Sequence, residues 1–371
     1  MSEAQAAQTQ TQAQTLAQVR NHVGHFTLNR PAALNVLSLQ MVRDIHAQLV
    51  QWAGDPQVHL VVVRGAAGKA FCAGGDIRAL YDAHLAQTPG YMRFFAEEYD
   101  LDHYIYRYPK PYVALMDGYV MGGGMGISQG AALRIITERT RMAMPEVGIG
   151  FFPEAGGSYF LSRLPGALGN YFGLTGVHIR AADAVYGGLA DCVLPSDRLA
   201  ALDAVLDAMQ WGDSPLEQLK VSLKALLTDD AAAPLANLRE AIELHFSLPT
   251  VAAIKASLAA EARPAFAAWA QESLKSMDRA SPLAMSVTLE ELRRARNLSM
   301  ADCFQMENTM VREWFRRGDF IEGVRALIID KDNKPQWNPS TLDAVTPVQV
   351  NAYFTHMRAQ TSIPGDGNVI Q

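Results

Sequence analysis

The sequence predicts an α/β protein with a helix-rich insert and a helical C-terminal region, and three observations carry that expectation. Two β-branched apolar runs, LVVVRG at residues 60–65 and YVALM at residues 112–116, each lead into a glycine turn, as strands buried on both faces of a sheet do. Apolar residues elsewhere recur at helical spacing, and from residue 196 to about residue 279 glycine becomes scarce while Leu/Ala-rich helical periodicity takes over. With 371 residues, 49% of them hydrophobic and 19% charged, the chain can bury a large core.

Taken in order, the first 20 residues, MSEAQAAQTQTQAQTLAQVR, have little to bury and read as a flexible tail with some helix near Leu16. Residues 21–195 form the α/β core. Within it a short strand is expected over residues 25–28, and Asn29, Arg30 and Pro31 turn the chain. Leu39, Val42, Ile45, Leu49 and Trp52 then fall on one face of a helix over residues 38–52. LVVVRG precedes KAFCAGGDIRAL (residues 69–80), and YVALM leads through Asp117 and Gly118 into MGGGMGISQGAAL (residues 121–133), a strand, a glycine turn and a helix start. Residues 196–280 are the helical insert. In the C-terminal region, 281–371, residues 281–296 and 301–317 read as amphipathic helices and DKDNKPQWNP (residues 330–339) as an extended closing segment. No internal repeat is visible.

A net charge of −6 and a pI near 5.9 argue against the basic surface that nucleic acid requires. Cys72, Cys192 and Cys303 are odd in number and far apart, so neither a disulfide framework nor a zinc site is expected, and a reducing cytosol fits best. No apolar run reaches the roughly 18 to 20 residues of a membrane span, and the N-terminus lacks the order of a signal peptide. His22, His25, His103, His178 and His356 are scattered without a nucleophile motif. Ser158 follows Gly156 and Gly157 but does not form a G-x-S-x-G elbow, which disfavours a Ser-His-Asp hydrolase.

Three segments carry chemistry. In KAFCAGGDIRAL adjacent glycines allow a tight turn that presents a backbone N–H, although the same spacing suits a plain strand-to-helix connection. In DGYVMGGGMGIS (residues 117–128) three glycines precede a helix, where amide groups and the helix dipole favour a developing oxyanion. Both follow a predicted buried strand, the edge at which α/β sheets bind ligands, so together they suggest a two-donor oxyanion hole. AMPEVGIGFFPEAGGSY (residues 143–159) sets Glu146 and Glu154 in an apolar, glycine-rich stretch. Desolvation there raises a glutamate's pKa and improves it as a general base; the alternative is two loop carboxylates facing water.

KAFCAGGDI, DGYVMGGGMG and MPEVGIGFFPEAGG resemble, in order, the three signature segments of the enoyl-CoA hydratase/isomerase (crotonase) superfamily, and TLNRPAALNVLS is similar to its first motif. More narrowly, FCAGGDIR, TERTRMAMPE, IGFFPEAGGSYFLSRLPG and RGDFIEGVRALIIDKDNKPQWNP resemble the 3-hydroxyisobutyryl-CoA hydrolases of valine degradation, from about residue 22 to residue 354. The resemblance implies a crotonase-type spiral of ββα units and hydrolysis of a 3-hydroxyacyl-CoA, with coenzyme A as part of the substrate and no cofactor or metal. Its alternatives are an enoyl-CoA hydratase/isomerase and a catalytically inactive acyl-CoA-binding protein.

Carried across by motif, the oxyanion donors are the N–H groups of Gly75 and Gly123, and Glu146 is the catalytic carboxylate. Ala73, Gly74, Asp76, Ile77, Arg78 and Gly122 complete the substrate site. The second glutamate of the hydratases maps to Gly126, which weakens a hydratase reading. The hydrolases place an acidic residue, usually aspartate, where this chain has Glu154; the longer side chain keeps the charge and either touches the substrate's 3-hydroxyl or goes with a different acyl chain. A lysine that meets CoA phosphates is replaced by Ala32, which leaves Arg30, Lys69, Arg78 and Lys331 as candidates. Membrane and nucleic acid are not expected partners; the family's members form homo-oligomers, but the helical insert and the C-terminal part could cover those surfaces, which leaves a homo-oligomer open.

Overall fold

The computed structural model describes residues 13–66, 68–228 and 232–355. Its core is a six-stranded sheet in the order β1-β2-β3-β5-β7-β10 beside a four-stranded one in the order β4-β6-β8-β9. The strands are β1 (Thr15–Arg20), β2 (Val23–Leu28), β3 (Leu60–Gly65), β4 (Ala70–Cys72), β5 (Tyr112–Met116), β6 (Tyr119–Met121), β7 (Leu133–Ile136), β8 (Arg141–Ala143), β9 (Ile179–Arg180) and β10 (Cys192–Val193). Three times in succession the chain lays one strand into the large sheet, turns, and lays the next into the small sheet: β3 then β4, β5 then β6, β7 then β8. A helical segment follows each pair: Ile77–Leu85, Gly123–Gln129 and the short 3₁₀ turn Glu146–Ile149. This is the winding of a ββα spiral, and parallel pairing runs β3·β5·β7 in one sheet and β4·β6·β8 in the other.

The turns between paired strands need glycine where backbone crowds backbone. Gly118, at φ +85°, has Lys69 O only 2.2 Å from where a Cβ would stand. Any larger residue would push β6 off β4.

The β-branched runs are continuous because both faces of the large sheet are covered. Leu60, Val62, Val113, Leu115, Leu133 and Ile135 face Leu202, Leu206, Leu219 and Leu223, from the helices Leu199–Ala208 and Pro215–Leu223. Arg64 of β3 adds an ion pair to Asp203, 2.7 Å. On the other face Phe26, Val61, Val63, Ala114 and Met116 join the main core with the helix Leu39–Gly54. That helix is capped by Ser38 and buries Met41, Val42, Ile45, Leu49 and Trp52, each contributing about 1.5–3 kcal/mol. Its face is the one that the sequence spacing predicts.

The described residues of 196–280 are largely helical but have no core of their own. The first two helices complete the sheet, whereas Ile242, Phe246, Ile254, Leu258 and Met277 of the next three belong to the main core. The N-terminal expectation is corrected as well. Residues 1–12 lie outside the described residues, but Thr15–Arg20 is a strand, paired antiparallel with β2 from Thr15↔Leu28 to Arg20↔Val23, and there is no helix at Leu16. Most of this edge strand is exposed, so its polar sequence carries no amphipathic signal; backbone pairing holds it, helped by Thr15 donating to Asp44 at 3.0 Å and an Arg20–Asp207 ion pair at 3.2 Å.

The C-terminal helices Pro282–Ala295 and Met300–Arg317 are capped by Ser281 and Ser299. The closing segment 330–339 has no regular structure and is fastened by Asp319. Ser281 Oγ donates to Asp319 Oδ2 at 2.6 Å, and the Asn338 N–H donates to Oδ1 at 2.9 Å. Arg325 pairs with Glu322, Asp330 and Asp332 beside it. Asp319→Ala should therefore lose about 2–4 kcal/mol of stability by urea unfolding, and residues 330–339 should become cleavable by trypsin after Lys331. Unchanged unfolding and digestion would show that Asp319 is not the fastener.

Candidate active site

The C-terminal ends of β4, β6 and β8 bring the three glycine-rich segments to one cavity of about 570 Å³. Ala73, Gly74, Gly75, Asp76, Ile77, Arg78, Gly122, Gly123, Glu146 and Glu154 all line it. Phe94, Phe95, Phe151, Phe320 and Ile328 supply apolar wall. A larger hollow of about 770 Å³, between residues 247–252, the helix Pro282–Ala295 and residues 342–351, holds none of these groups.

The first glycine turn is pinned by hydrogen bonds to an earlier segment: Leu37 N to Gly74 O at 2.8 Å and Asp76 N to Leu37 O at 2.9 Å. Asp76 caps the helix Ile77–Leu85 through Ala79 N and pairs with Arg30 at 3.0 Å. Gly74, at φ +101°, lies against the second turn: a Cβ there would stand 3.4 Å from Met121 O and 3.9 Å from Gly123 N. Among the described residues neither the Gly75 N–H nor the Gly123 N–H donates to a protein acceptor. Two unclaimed amides in adjoining turns suit an oxygen that gains charge.

Glu146 opens the 3₁₀ turn after β8 and is buried, with Oε1 3.0 Å from the point where a Cβ on Gly122 would be. Burial, then the charge of Glu154, push its carboxyl well above the usual range. Glu154 sits in the next loop, before Ala155 (φ +55°) and Gly156 (φ +80°), and is also buried. Burial and the charge of Glu307 push it up to about 8. The Tyr99 hydroxyl is close enough to influence Glu154, yet neither Tyr99 Oη nor Glu154 Oε2 reaches hydrogen-bond geometry with a protein partner.

Of the candidate cations, Arg30 and Arg78 line the cavity, Arg30 bonding Val36 O and Arg78 bonding Ile328 O. Lys69 and Lys331 do not line it. Cys72 is a fully buried thiol, and burial pushes it up to about 12. Ser158 Oγ donates to Glu307, and His22, His25, His103 and His178 stand away from the cavity; His356 lies outside the described residues.

Sequence reasoning missed four more acids. Glu98 and Asp102 on the helix Arg93–Tyr106, Glu291 on Pro282–Ala295 and Glu307 on Met300–Arg317 are all buried at 1% exposure or less. Among the described residues none of them is in an ion pair with an arginine or lysine. Glu98 Oε1 lies 2.2 Å from where a Cβ on Gly123 would be, and Asp102 Oδ2 lies 2.6 Å from the corresponding point on Gly126. Each falls on the apolar face of its helix, the one signal available: Glu98 and Asp102 share theirs with Phe94, Phe95, Leu101 and Ile105.

Paired sheets wound from ββα units, with a glycine-lined cavity holding buried carboxyls at their strand ends, define a crotonase-type α/β protein. The family model described as enoyl-CoA hydratase/isomerase matches residues 23–354, and the chain belongs to that family. It is 40% identical over 339 residues to the mitochondrial 3-hydroxyisobutyryl-CoA hydrolase of Xenopus tropicalis, covering 90% of this chain and 86% of that protein. The human protein of that name is 38% identical over 347 residues, covering 92% and 88%. A crystal structure described as a carnitinyl-CoA dehydratase from Mycobacterium thermoresistibile superposes with TM-score 0.86 at 39% identity, covering 95% of this chain and 99% of the other. One described as an enoyl-CoA hydratase from Rhodobacter sphaeroides 2.4.1 gives 0.82 at 37%, covering 92% and 97%.

An acid that folding keeps protonated costs stability wherever the unfolded chain would ionise it. Burial pushes Glu98 well above its usual range, so the folded state holds its proton while the unfolded state loses it as pH rises past the ordinary carboxylate value. Glu98→Gln should accordingly raise the melting temperature at pH 8 and do so much less at pH 4. An equal effect at both pH values would show that Glu98 is not held neutral.

Proposed function

We propose that this protein hydrolyses the thioester of a 3-hydroxyacyl-CoA, with 3-hydroxyisobutyryl-CoA as its substrate, releasing the hydroxy acid and coenzyme A. The observation that carries this reading is the placement of Glu146 against the Gly122–Gly123 turn with no room for a side chain at Gly126. One carboxyl faces the amide donors there, and a second cannot enter from the triple-glycine helix. The curated relatives named as 3-hydroxyisobutyryl-CoA hydrolases over about nine-tenths of the chain support the substrate.

In the reaction the thioester oxygen accepts from the Gly75 and Gly123 N–H groups, which stabilise the negative charge of the tetrahedral intermediate. Glu146 takes the proton of an attacking water, or attacks the carbonyl itself to give a mixed anhydride that water then opens. Both routes use the same contacts, and neither calls on a metal or redox cofactor. Glu154 keeps its proton at neutral pH and so presents both a donor and an acceptor to the 3-hydroxyl or to the water. Arg30 and Arg78 are the cavity cations placed to meet the CoA phosphates.

Among the described residues no helix is long and apolar enough to cross a membrane. We place the protein in the cytosol on its buried thiols Cys72 and Cys303, although the relatives above are named mitochondrial. The hydratase and dehydratase names of the two superposed structures favour a second reading, water addition to an enoyl-CoA. Free-thiol release from 3-hydroxyisobutyryl-CoA, run beside loss of enoyl absorbance from crotonyl-CoA, decides between them. Thiol release with no hydration is the expected result.

Glu146→Gln should cut turnover at least about 100-fold while acyl-CoA binding stays within a few-fold, because an amide can be neither base nor nucleophile. Since only ionised Glu146 is competent and its carboxyl is pushed upward, kcat/KM of the wild type should climb with pH over a range well above that of an ordinary glutamate. Turnover of Glu146→Gln within about tenfold of wild type would remove Glu146 from the chemistry.

Glu154→Ala tests recognition of the hydroxyl. Selectivity for 3-hydroxyisobutyryl-CoA over isobutyryl-CoA, as a ratio of kcat/KM, should fall by about 10- to 150-fold. Glu154→Asp should retain much of it. Equal losses on both substrates would assign Glu154 a general role instead.

A further inference from the structure

Glu307 lies far from the cavity motifs in sequence, on the helix Met300–Arg317, yet its carboxylate ends at the loop that carries Glu154. The Gly156 N–H donates to Oε2 at 2.8 Å, the Ser158 N–H donates to Oε1 at 3.0 Å, and the Ser158 hydroxyl donates to Oε1 as well. Ala155 alone separates Glu154 from the first of these donors, and the turn bends through two left-handed positions, Ala155 and Gly156. Such a turn does not hold one shape unaided. Glu307 is wholly buried, so these three bonds are fixed and undiluted by water.

We propose that Glu307 is a positioning residue for the reaction: from the C-terminal helix it fastens the turn that sets Glu154 in the cavity, and it holds the negative charge of the buried acid cluster. This rests on the functional reading above for its kinetic readout. The groups that face the cluster are Glu98, Tyr99, Asp102 and Tyr106 from the helix Arg93–Tyr106, Glu154 from its loop, Glu291 from Pro282–Ala295 and Cys303 from Glu307's own helix. Every one is neutral or negative; Arg134 acts on Tyr106 and Arg163 on Cys303, but neither acts on Glu307 or Glu154. Both oxygens of Asp102 and of Glu291, and one each of Glu98 and Glu154, lack a hydrogen-bond partner. Glu307 alone among these acids receives three donors, so charge settles there. That charge in turn opposes ionisation of Glu154.

The test compares three variants by kcat, KM and pH profile on 3-hydroxyisobutyryl-CoA. Glu307→Gln keeps the shape and removes the charge: kcat should fall about tenfold or more with KM within about threefold, and the alkaline fall of the kcat/KM profile, set by loss of the Glu154 proton, should move to lower pH. Ser158→Ala and Glu307→Asp keep the charge, so kcat should drop while the profile stays in place. A Glu307→Gln enzyme with a normal profile, or with all loss explained by a lower melting temperature, overturns the proposal. If that variant does not fold, a displaced profile in the other two overturns it equally. Should the wild type hydrolyse no acyl-CoA, the functional reading fails by itself. Glu307 is then judged by carboxyl NMR titration, in which the signal absent from Glu154→Gln must move to lower pH in Glu307→Gln.

Discussion

The site depends on burying carboxyl groups without counter-charges. Glu98, Asp102, Glu146, Glu154, Glu291 and Glu307 are each 7% exposed or less, and among the described residues no arginine or lysine forms an ion pair with any of them. Water cannot solvate them, so most of the set must carry a proton, and the residual charge goes where donors exist. A set of acids held in that state is a source of protonatable groups near neutral pH, which acyl transfer uses and an ordinary surface glutamate cannot supply. Folding loses stability to it; the cost falls at the functional site.

The glycines follow from the same crowding. The triple-glycine helix presses its backbone against Cys72 O, Glu98 and Asp102, with Cys72 O 2.3 Å from where a Cβ on Gly124 would stand. Side chains at these positions would drive the turn away from Gly74 and separate the two amide donors. What reads as a permissive loop in sequence is a close-packed seam in three dimensions, in which absent side chains make room for buried acids.

The C-terminal third is part of the site and no appendage. Phe320 and Ile328 line the cavity, Trp314 Nε1 donates to Gly150 O at 2.6 Å, and Ser281 N donates to Val147 O at 3.1 Å. The segment between Glu146 and Glu154 is thus held from behind by chain more than 120 residues later in sequence. Phe151 packs edge-on against Trp314 at 5.8 Å and tilted against Phe320 at 4.9 Å, which keeps that wall dry.

The fold class, the buried strands, the helix over residues 39–54 and the segments that meet at the cavity were legible in the sequence, because periodicity, β-branched runs and glycine turns are local properties. The exposed strand Thr15–Arg20 was not: its burial pattern gives no alternation, and only pairing with β2 makes it a strand. Nor did residues 196–280 betray that they would divide between two faces of the structure. Glu146 and Glu154 stood out because they interrupt an apolar stretch. Glu98, Asp102, Glu291 and Glu307 sit in helices where charged residues are common, and their only local mark is a place on the apolar face of the helix. Which acids share a dry space, which lack partners and which receives three hydrogen bonds is decided when helices distant in sequence close on one another, since burial and Coulomb interaction depend on distance in space and not along the chain.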